Sequence, residues 1–461
     1  MTTLWSGRFD AAPDAAAFEF QKSFRFDRRL FDEDVAGSLA WARALGRAGV
    51  LPKADVDHIE HALNEILQKG QSDPAFVDGD DEDVHSFVER VLVERVGDAG
   101  RRLHTGRSRN EQVSLDIRLY LMRHIPVLQA GVVSVVGALL GQAAAAGDGL
   151  MPAFTHFRPA QPVLVAHFFL AHVAALRRDH ERLAVARHEA DALTLGSGAV
   201  AGTSYGIDVD ALARDLGFSR VVANSIDASS DRDFAASFHF ACAMTMVHLS
   251  RLAEDLIILC GDGHRFFELS DALSTGSSMM PQKKNPDPLE LVRGKSGRNL
   301  GHLLALLTTL KGLPSGYNKD LQEDKEAIFD AEDTLGGCLS AVRAVVGGLT
   351  LNRAQAAAAA TGLLLATDVA DYLVRRGVPF RRAHEISGGL VRKLLAEGRE
   401  FDSLSLAEWR AASELFDADI AAHVTSSASV AAKRTPQSTA PTEVARALAE
   451  AREWADRAVK G

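Results

Sequence analysis

Residues Val113–Gly147 constrain the fold more than any other stretch of this chain. They keep a helical pattern with one proline, Pro126, where a bend is expected, and from Ile125 to Gly147 they carry no charged side chain. A charge-free run of more than 20 residues is long enough to cross a membrane. This run, however, contains Gln129, Ser134 and Gln142 among many Ala and Gly, and it continues from the charged, periodic stretch Val113–His124. A helix apolar on every side also suits the centre of a large soluble bundle, and no second candidate span accompanies this one. The bundle is therefore the expected setting. At about 1.5 Å per residue, such a helix is a rod about 50 Å long.

Four more long helices are expected after it. Ser108 and Glu111 have capping-box spacing and start the first rod. THFRPAQP, Thr155–Pro162, breaks the chain before a second helix at about Val163–Leu193. A Gly- and Ser-rich segment and a cap at Ser230 and Asp233 introduce a third, Asp231–Gly261. The fourth covers Pro288–Lys311, and GLPSGYNKD, Gly312–Asp320, turns into the fifth, Leu321–Val346. Upstream, residues 1–22 show little periodicity. Asp27–Ala48 and Lys53–Lys69 read as helices stopping at Gly49 and Gly70, and Val84–Val96 follows a turn-rich acidic run, Asp73–Asp83. Past about residue 355 the helices shorten, with a cap at Ser405 and Glu408 and a last helix from Thr442. Only 14 prolines and recurrent Ala runs agree with helix throughout. The expected fold is all-α: a head at 1–107, a central bundle of five long helices at 108–354, and a C-terminal helical domain at 355–461.

Between the third and fourth rods lies Gly276–Glu290, GSSMMPQKKNPDPLE, which its prolines, glycine and serines exclude from helix or central strand. Asp287 is expected at the N-cap, Pro288 at the first helical position and Glu290 at the third. A loop carrying Lys283 and Lys284 thus feeds a helix N-terminus, a natural receiver for an anion. The net charge of −10 argues against a general nucleic-acid binder, so an anionic ligand must be met by local positive charge of this kind. Three scattered cysteines, Cys242, Cys260 and Cys338, fit free thiols in a reducing compartment rather than disulfides or zinc. The N-terminus MTTLWSGRFD has no basic region followed by an apolar run, so a cytoplasmic location is expected.

Short connections make successive rods antiparallel, which sends the polar motifs to both ends. HTGRSRNEQ, His104–Gln112, and YNKDLQEDK share one end; THFRPAQP and the Gly276–Glu290 loop share the other. Asn110 and His156 of one chain are then tens of ångströms apart, by the roughly 50 Å rod between them. If both serve one site, another subunit must supply one of them.

HTGRSRNEQ, THFRPAQP and GSSMMPQKKNPDPLE together resemble the signatures of the fumarase/aspartase superfamily, in its argininosuccinate lyase branch. The resemblance runs from LWSGRF at residues 4–9 through the fifth helix and weakens after about 355. It implies homotetramers with a shared central bundle, each site drawing on three chains. It also implies reversible elimination of argininosuccinate to arginine and fumarate, the last step of arginine biosynthesis. Such chemistry needs a base for the proton next to a carboxylate, donors for the developing dianion and an acid for the departing nitrogen, with no metal or redox cofactor required in principle. By the same resemblance Ser277 is the base, His156 the catalytic histidine and Glu290 the carboxylate that orients it. Ser108, Arg109, Asn110, Thr155, Lys283 and Asn285 meet substrate carboxylates, while Ser23, Tyr317, Gln322 and Lys325 hold the rest of the substrate. Read without it, Ser108 and Glu290 are helix caps, and Arg109, Gln322 and Lys325 are surface charges or amides. The chain departs from the pattern at Glu111, where Asp is frequent, and at Arg158, where Gln is usual. The acidic cluster Asp80–Asp83 and the run Asp231–Arg232–Asp233 could face a guanidinium, but solvated faces are the expected reading and neither is assigned to the site. Adenylosuccinate lyase, aspartase and fumarase fit these motifs poorly, and a crystallin-like structural role does not need the intact Ser277, His156, Lys283 and Asn285.

Overall fold

Ser108 sets the start of the longest helix in the computed structural model, which describes residues 14–460 and so leaves LWSGRF at 4–9 outside the described residues. Its side chain accepts from Asn110 N at 3.3 Å, an N-cap bond one residue short of the capping-box pattern, and Glu111 Oε1 accepts from Ser108 N at 3.0 Å, which is the other half of the expected box. The described chain is all-α apart from three short two-stranded ladders. We number its main elements α1 (Phe31–Arg47), α2 (Lys53–Ser72), α3 (Val84–Val96), α4 (Arg109–Ala146), β1 (Leu150–Thr155), β2 (Arg158–Leu164), α5 (Val165–Ala190), α6 (Asp233–Cys260), β3 (Thr275–Gly276), β4 (Lys284–Asn285), α7 (Asp287–Leu310) and α8 (Asp324–Gly347). All five long helices are therefore present. α2 runs past Gly70 to Ser72, because Gly70 is not a stop but a contact: a Cβ there would meet Phe31 at 2.2 Å.

The chain divides into two compact units, each built from three segments. Met1–Leu128, Arg182–Ala243 and Arg298–Asp333 form the first; Gln129–Glu181, Met244–Gly297 and Thr334–Gly461 form the second. In the first, Trp41, Leu45, Ile59, Leu63, Ile66 and Leu92 are buried where α1, α2 and α3 pack, and Phe24 stacks on Phe87 at 5.2 Å. There Arg187 of α5 donates to the Met122 carbonyl of α4 at 3.4 Å, and His124 of α4 meets Glu332 of α8 at 2.7 Å. In the second, Gln129 donates to the His180 carbonyl at 3.1 Å and Gln142 to the Val346 carbonyl at 2.8 Å. α4 is long and apolar enough to cross a membrane by composition, with a mean hydropathy of 1.7 over its most apolar window, 44% of which is buried against such neighbours. The shorter helices of the second unit enclose their own core of Leu365, Tyr372, Trp409 and Phe416, and Ser405 and Glu408 form a full capping box.

Two local expectations are corrected. α7 starts at Asp287, one residue early, because Glu290 N already bonds the Pro286 carbonyl at 3.2 Å. The Asp287 carboxylate instead accepts from Thr275 Oγ1, and Glu290 falls one place beyond the capping-box position, exposed. THFRPAQP is not merely a break: it is the turn and second strand of a β-hairpin, β1–β2.

Candidate active site

In the first unit, one cavity of about 210 Å³ gathers Ser23, Arg109, Asn110, Tyr317, Gln322 and Lys325. Four separate stretches meet there, each for a local reason. Ser23 and Phe24 donate their backbone N–H groups to the Glu82 carbonyl at 2.8 and 3.2 Å, tying the N-terminal helical segment to the start of α3. Asp83 N-caps α3 through Ser86 N at 2.8 Å. The α4 N-terminus presents Arg109 and Asn110, and the turn before α8 brings Tyr317 and Gln322, the latter bonded to the Gln21 carbonyl at 3.3 Å.

Of the remaining lining residues, Asp27, His85, Val113 and Lys319 were not expected at a site, and Glu82 and Asp83 belong to the acidic cluster expected on a solvated face. Asp83 is 7% exposed and binds Arg109 Nη1 at 3.1 Å, with Glu82 at 3.8 Å, so this stretch of the acidic run is not a solvated face. Its role as an N-cap immediately before a helix was the readable signal. Burial works to raise the Asp83 carboxyl, but the charges of Arg109 and His85 and the Ser86 bonds hold it below its usual range. Asp27 goes the other way: burial raises it against the pull of His85 and the Ser23 hydroxyl, which lies 2.5 Å away. Burial also pushes the Tyr317 phenol up to about 12, so it stays a neutral donor.

Behind the cavity, charges are paired in the interior. Lys325 is 3% exposed and reaches Asp324 Oδ1 at 2.9 Å, while Arg232 Nε takes Oδ2 at 2.5 Å. Arg232 is 1% exposed, which corrects its expected place on a solvated face. Burial opposes ionisation of Asp324, yet Lys325 and Arg232 hold its carboxyl below the usual range. Glu111 is fully buried, and its Oε2 accepts from Gly198 N at 2.9 Å; burial outweighs its backbone bonds and pushes it up to about 7. On the far side of His85, Nδ1 lies 2.5 Å from Asp34. Asp34, His85 and Asp116 form the one group among the described residues spaced to hold a cation. Buried Arg107 already supplies positive charge there, and burial together with the Asp34 charge raises the Asp116 carboxyl well above its usual range.

The second unit carries the other expected residues. β1 and β2 are joined by a two-residue turn with Thr155 opposite Arg158, and His156 and Phe157 sit at φ 53° and 56°. Both positive values define a type I′ turn, which normally uses Asn or Gly, so strain is stored at the tip that displays His156. His156 also lines a largely apolar cavity of about 660 Å³ with Phe154, Phe168, His167, His264 and Asp255. In the loop before α7, β3 and β4 pinch Gly276 against Lys284. Ser277 Oγ accepts from Met279 N at 3.3 Å and Met280 N at 3.1 Å. Lys284 is anchored by Asp271 at 2.8 Å and by the Leu269 carbonyl, whereas Lys283 is exposed. Asn285 donates to Thr275 Oγ1 at 3.4 Å.

Comparison with known proteins identifies the family of the chain. A family model described as "Lyase" matches residues 7–301, and one described as "Argininosuccinate lyase C-terminal" matches residues 363–431. The argininosuccinate lyase of Moorella thermoacetica is 47% identical over 98% of this chain and 97% of its own length. That of Roseiflexus castenholzii is 48% identical over 98% and 99%. Among solved structures, EDDS lyase in complex with formate superposes with a TM-score of 0.85 at 25% identity, covering 98% of this chain and 93% of that one. The chain belongs to the argininosuccinate lyase family of carbon–nitrogen lyases.

Proposed function

We propose that the chain converts argininosuccinate to arginine and fumarate, with a site completed by several copies of itself. The observation that carries this reading is the cavity at the start of α4, where Arg109, Lys325 and Asn110 face Asp27, Glu82 and Asp83. A substrate with both a guanidinium and carboxylates needs such a mixed lining, and charge-assisted bonds give it orientation. Ser23, Tyr317, Gln322 and Lys325 hold the arginine portion. Ser108, Arg109, Asn110, Thr155, Lys283 and Asn285 hold carboxylates.

Ser277 takes the proton next to the succinyl carboxylate as the loop before α7 closes and surrounds its oxygen with N–H groups and Lys283. The electron pair of that C–H bond forms the C=C bond of fumarate, and the C–N bond breaks towards nitrogen. His156, assisted by Glu290, delivers the proton to the departing nitrogen. Asn110 and the strand bearing Thr155 and His156 stand at opposite ends of α4, a 38-residue helix about 57 Å long. One chain therefore cannot bring them to one substrate, and we assign a homotetramer. Leu300, Leu304 and Leu307 support it, lying exposed at i, i+4 and i+7 on α7, an apolar face of the kind that seeks a partner. The head 1–107, bundle 108–354 and C-terminal domain 355–461 remain our division of function along the chain. Three cysteines outside any disulfide fit the cytoplasm.

The test is ultraviolet absorbance of fumarate, with argininosuccinate, adenylosuccinate, aspartate and malate offered in turn. Signal with argininosuccinate alone is expected. No signal with any of the four would sink the reading.

A further inference from the structure

Arg158 stands directly opposite Thr155 in the β1–β2 ladder, at the base of the turn that displays His156. Directly paired residues of an antiparallel ladder send their side chains to the same face, with Cβ atoms about 5 Å apart. The register there is pinned by the two left-handed residues of the turn, so Thr155 and Arg158 cannot slip to opposite faces. Arg158 is exposed, and among the described residues no carboxylate pairs with it. A guanidinium is always charged and presents a planar fork that matches a carboxylate. In this chain it occupies a position where the family resemblance leads one to expect a neutral Gln.

We propose that Arg158 is a specificity-determining residue whose guanidinium binds a carboxylate of the succinyl half of the substrate, and of fumarate in the reverse direction. The C–N bond that breaks belongs to the succinyl half, so a cation beside His156 meets that half and not the arginine tail. Thr155 offers one hydroxyl; Arg158 adds a fixed charge and up to two parallel bonds. The contact forms with bound substrate and product alike, so it acts mainly on affinity. It rests on the reading that Thr155 and His156 belong to the site.

The experiment is steady-state kinetics of the full-length enzyme bearing Arg158→Gln, with inhibition by fumarate and by arginine measured at low and high salt. Losing one charge-assisted contact is expected to raise KM and the fumarate inhibition constant about tenfold, with kcat changed less than about threefold. Inhibition by arginine should keep its native value, and the salt dependence of fumarate inhibition should flatten. Arg158→Lys, which keeps the charge without the fork, should fall between the two. His156→Asn and Thr155→Val separate the two ways of failing. If both keep native turnover, the site reading itself is wrong. If they lose turnover while Arg158→Gln retains native fumarate inhibition and its salt dependence, Arg158 alone is excluded. A fall in kcat at unchanged KM, or equal weakening of arginine and fumarate, also overturns the assignment.

Discussion

Glu111 offers a quantitative test of how the α4 N-terminus is built. Its carboxylate joins Ser108 N to Gly198 N, and its main-chain oxygen takes the Thr194 hydroxyl at 2.9 Å, so one side chain ties the HTGRSRN turn to the Gly-rich segment after α5. Burial pushes it from the ordinary 4.5 up to about 7. A carboxyl group with a raised folded pKa contributes stability that is complete below about pH 4.5 and is lost as pH rises through about 7. The 2.5-unit difference between those two values corresponds to about 3 kcal/mol, at about 1.4 kcal/mol per unit. Since Glu111 is 0% exposed, solvent screening does not reduce this figure. Glu111→Gln removes the titration and replaces one acceptor by a donor that faces Gly198 N. Its cost in stability is therefore expected to be largest near pH 4.5 and smallest near pH 8, where the native carboxylate is itself penalised by burial, with the stability–pH curve flattened between those values. Urea unfolding followed by circular dichroism at half-unit pH steps measures both effects. Equal slopes for the two proteins across that window would refute a buried, raised Glu111.

The neighbouring carboxyls should respond in opposite directions. Asp116 is raised by burial and by Asp34, so it costs stability above the ordinary carboxylate range, and Asp116→Asn should match or exceed the native melting temperature at pH 8. Asp34 is lowered by His85 against its burial, so Asp34→Asn should melt several degrees earlier at that pH; equal losses for both variants would contradict the pairing. On α7, Leu304, 68% exposed in the single chain, should be a subunit contact. Leu304→Asp is expected to yield smaller species by light scattering with far-ultraviolet dichroism unchanged; an unaltered mass would remove that face from the interface.

The five rods were legible because length, caps and punctuation agree: Ser108 and Glu111 cap α4 as their spacing predicts, and the Gly-rich segments fall between helices. What was hidden depended on partners distant in sequence. Arg232 reads as a surface charge until Asp324, 92 residues away, accepts its Nε. Asp83 reads as part of an acidic turn until Arg109 meets it across 26 residues. Burying such charges is tolerated only because each is paired, and pairing is not a local property. The β1–β2 hairpin was missed for another reason. Its turn uses His156 and Phe157 at positive φ, where turn chemistry leads one to look for Asn or Gly. Among the expected site residues, the start of α4 and the turn before α8 come together in one cavity.

The most direct test of the central claim mixes two inactive variants. Asn110→Ala disables the cavity at the start of α4, and His156→Asn disables the hairpin tip about one helix length, roughly 57 Å, along the same chain. Each variant alone should be inactive with a native dichroism spectrum. Denatured together and refolded, they should regain partial activity, because some mixed assemblies contain a site with neither substitution. Absence of recovery, in samples whose mass spectra show mixed assemblies, would contradict a site shared between subunits.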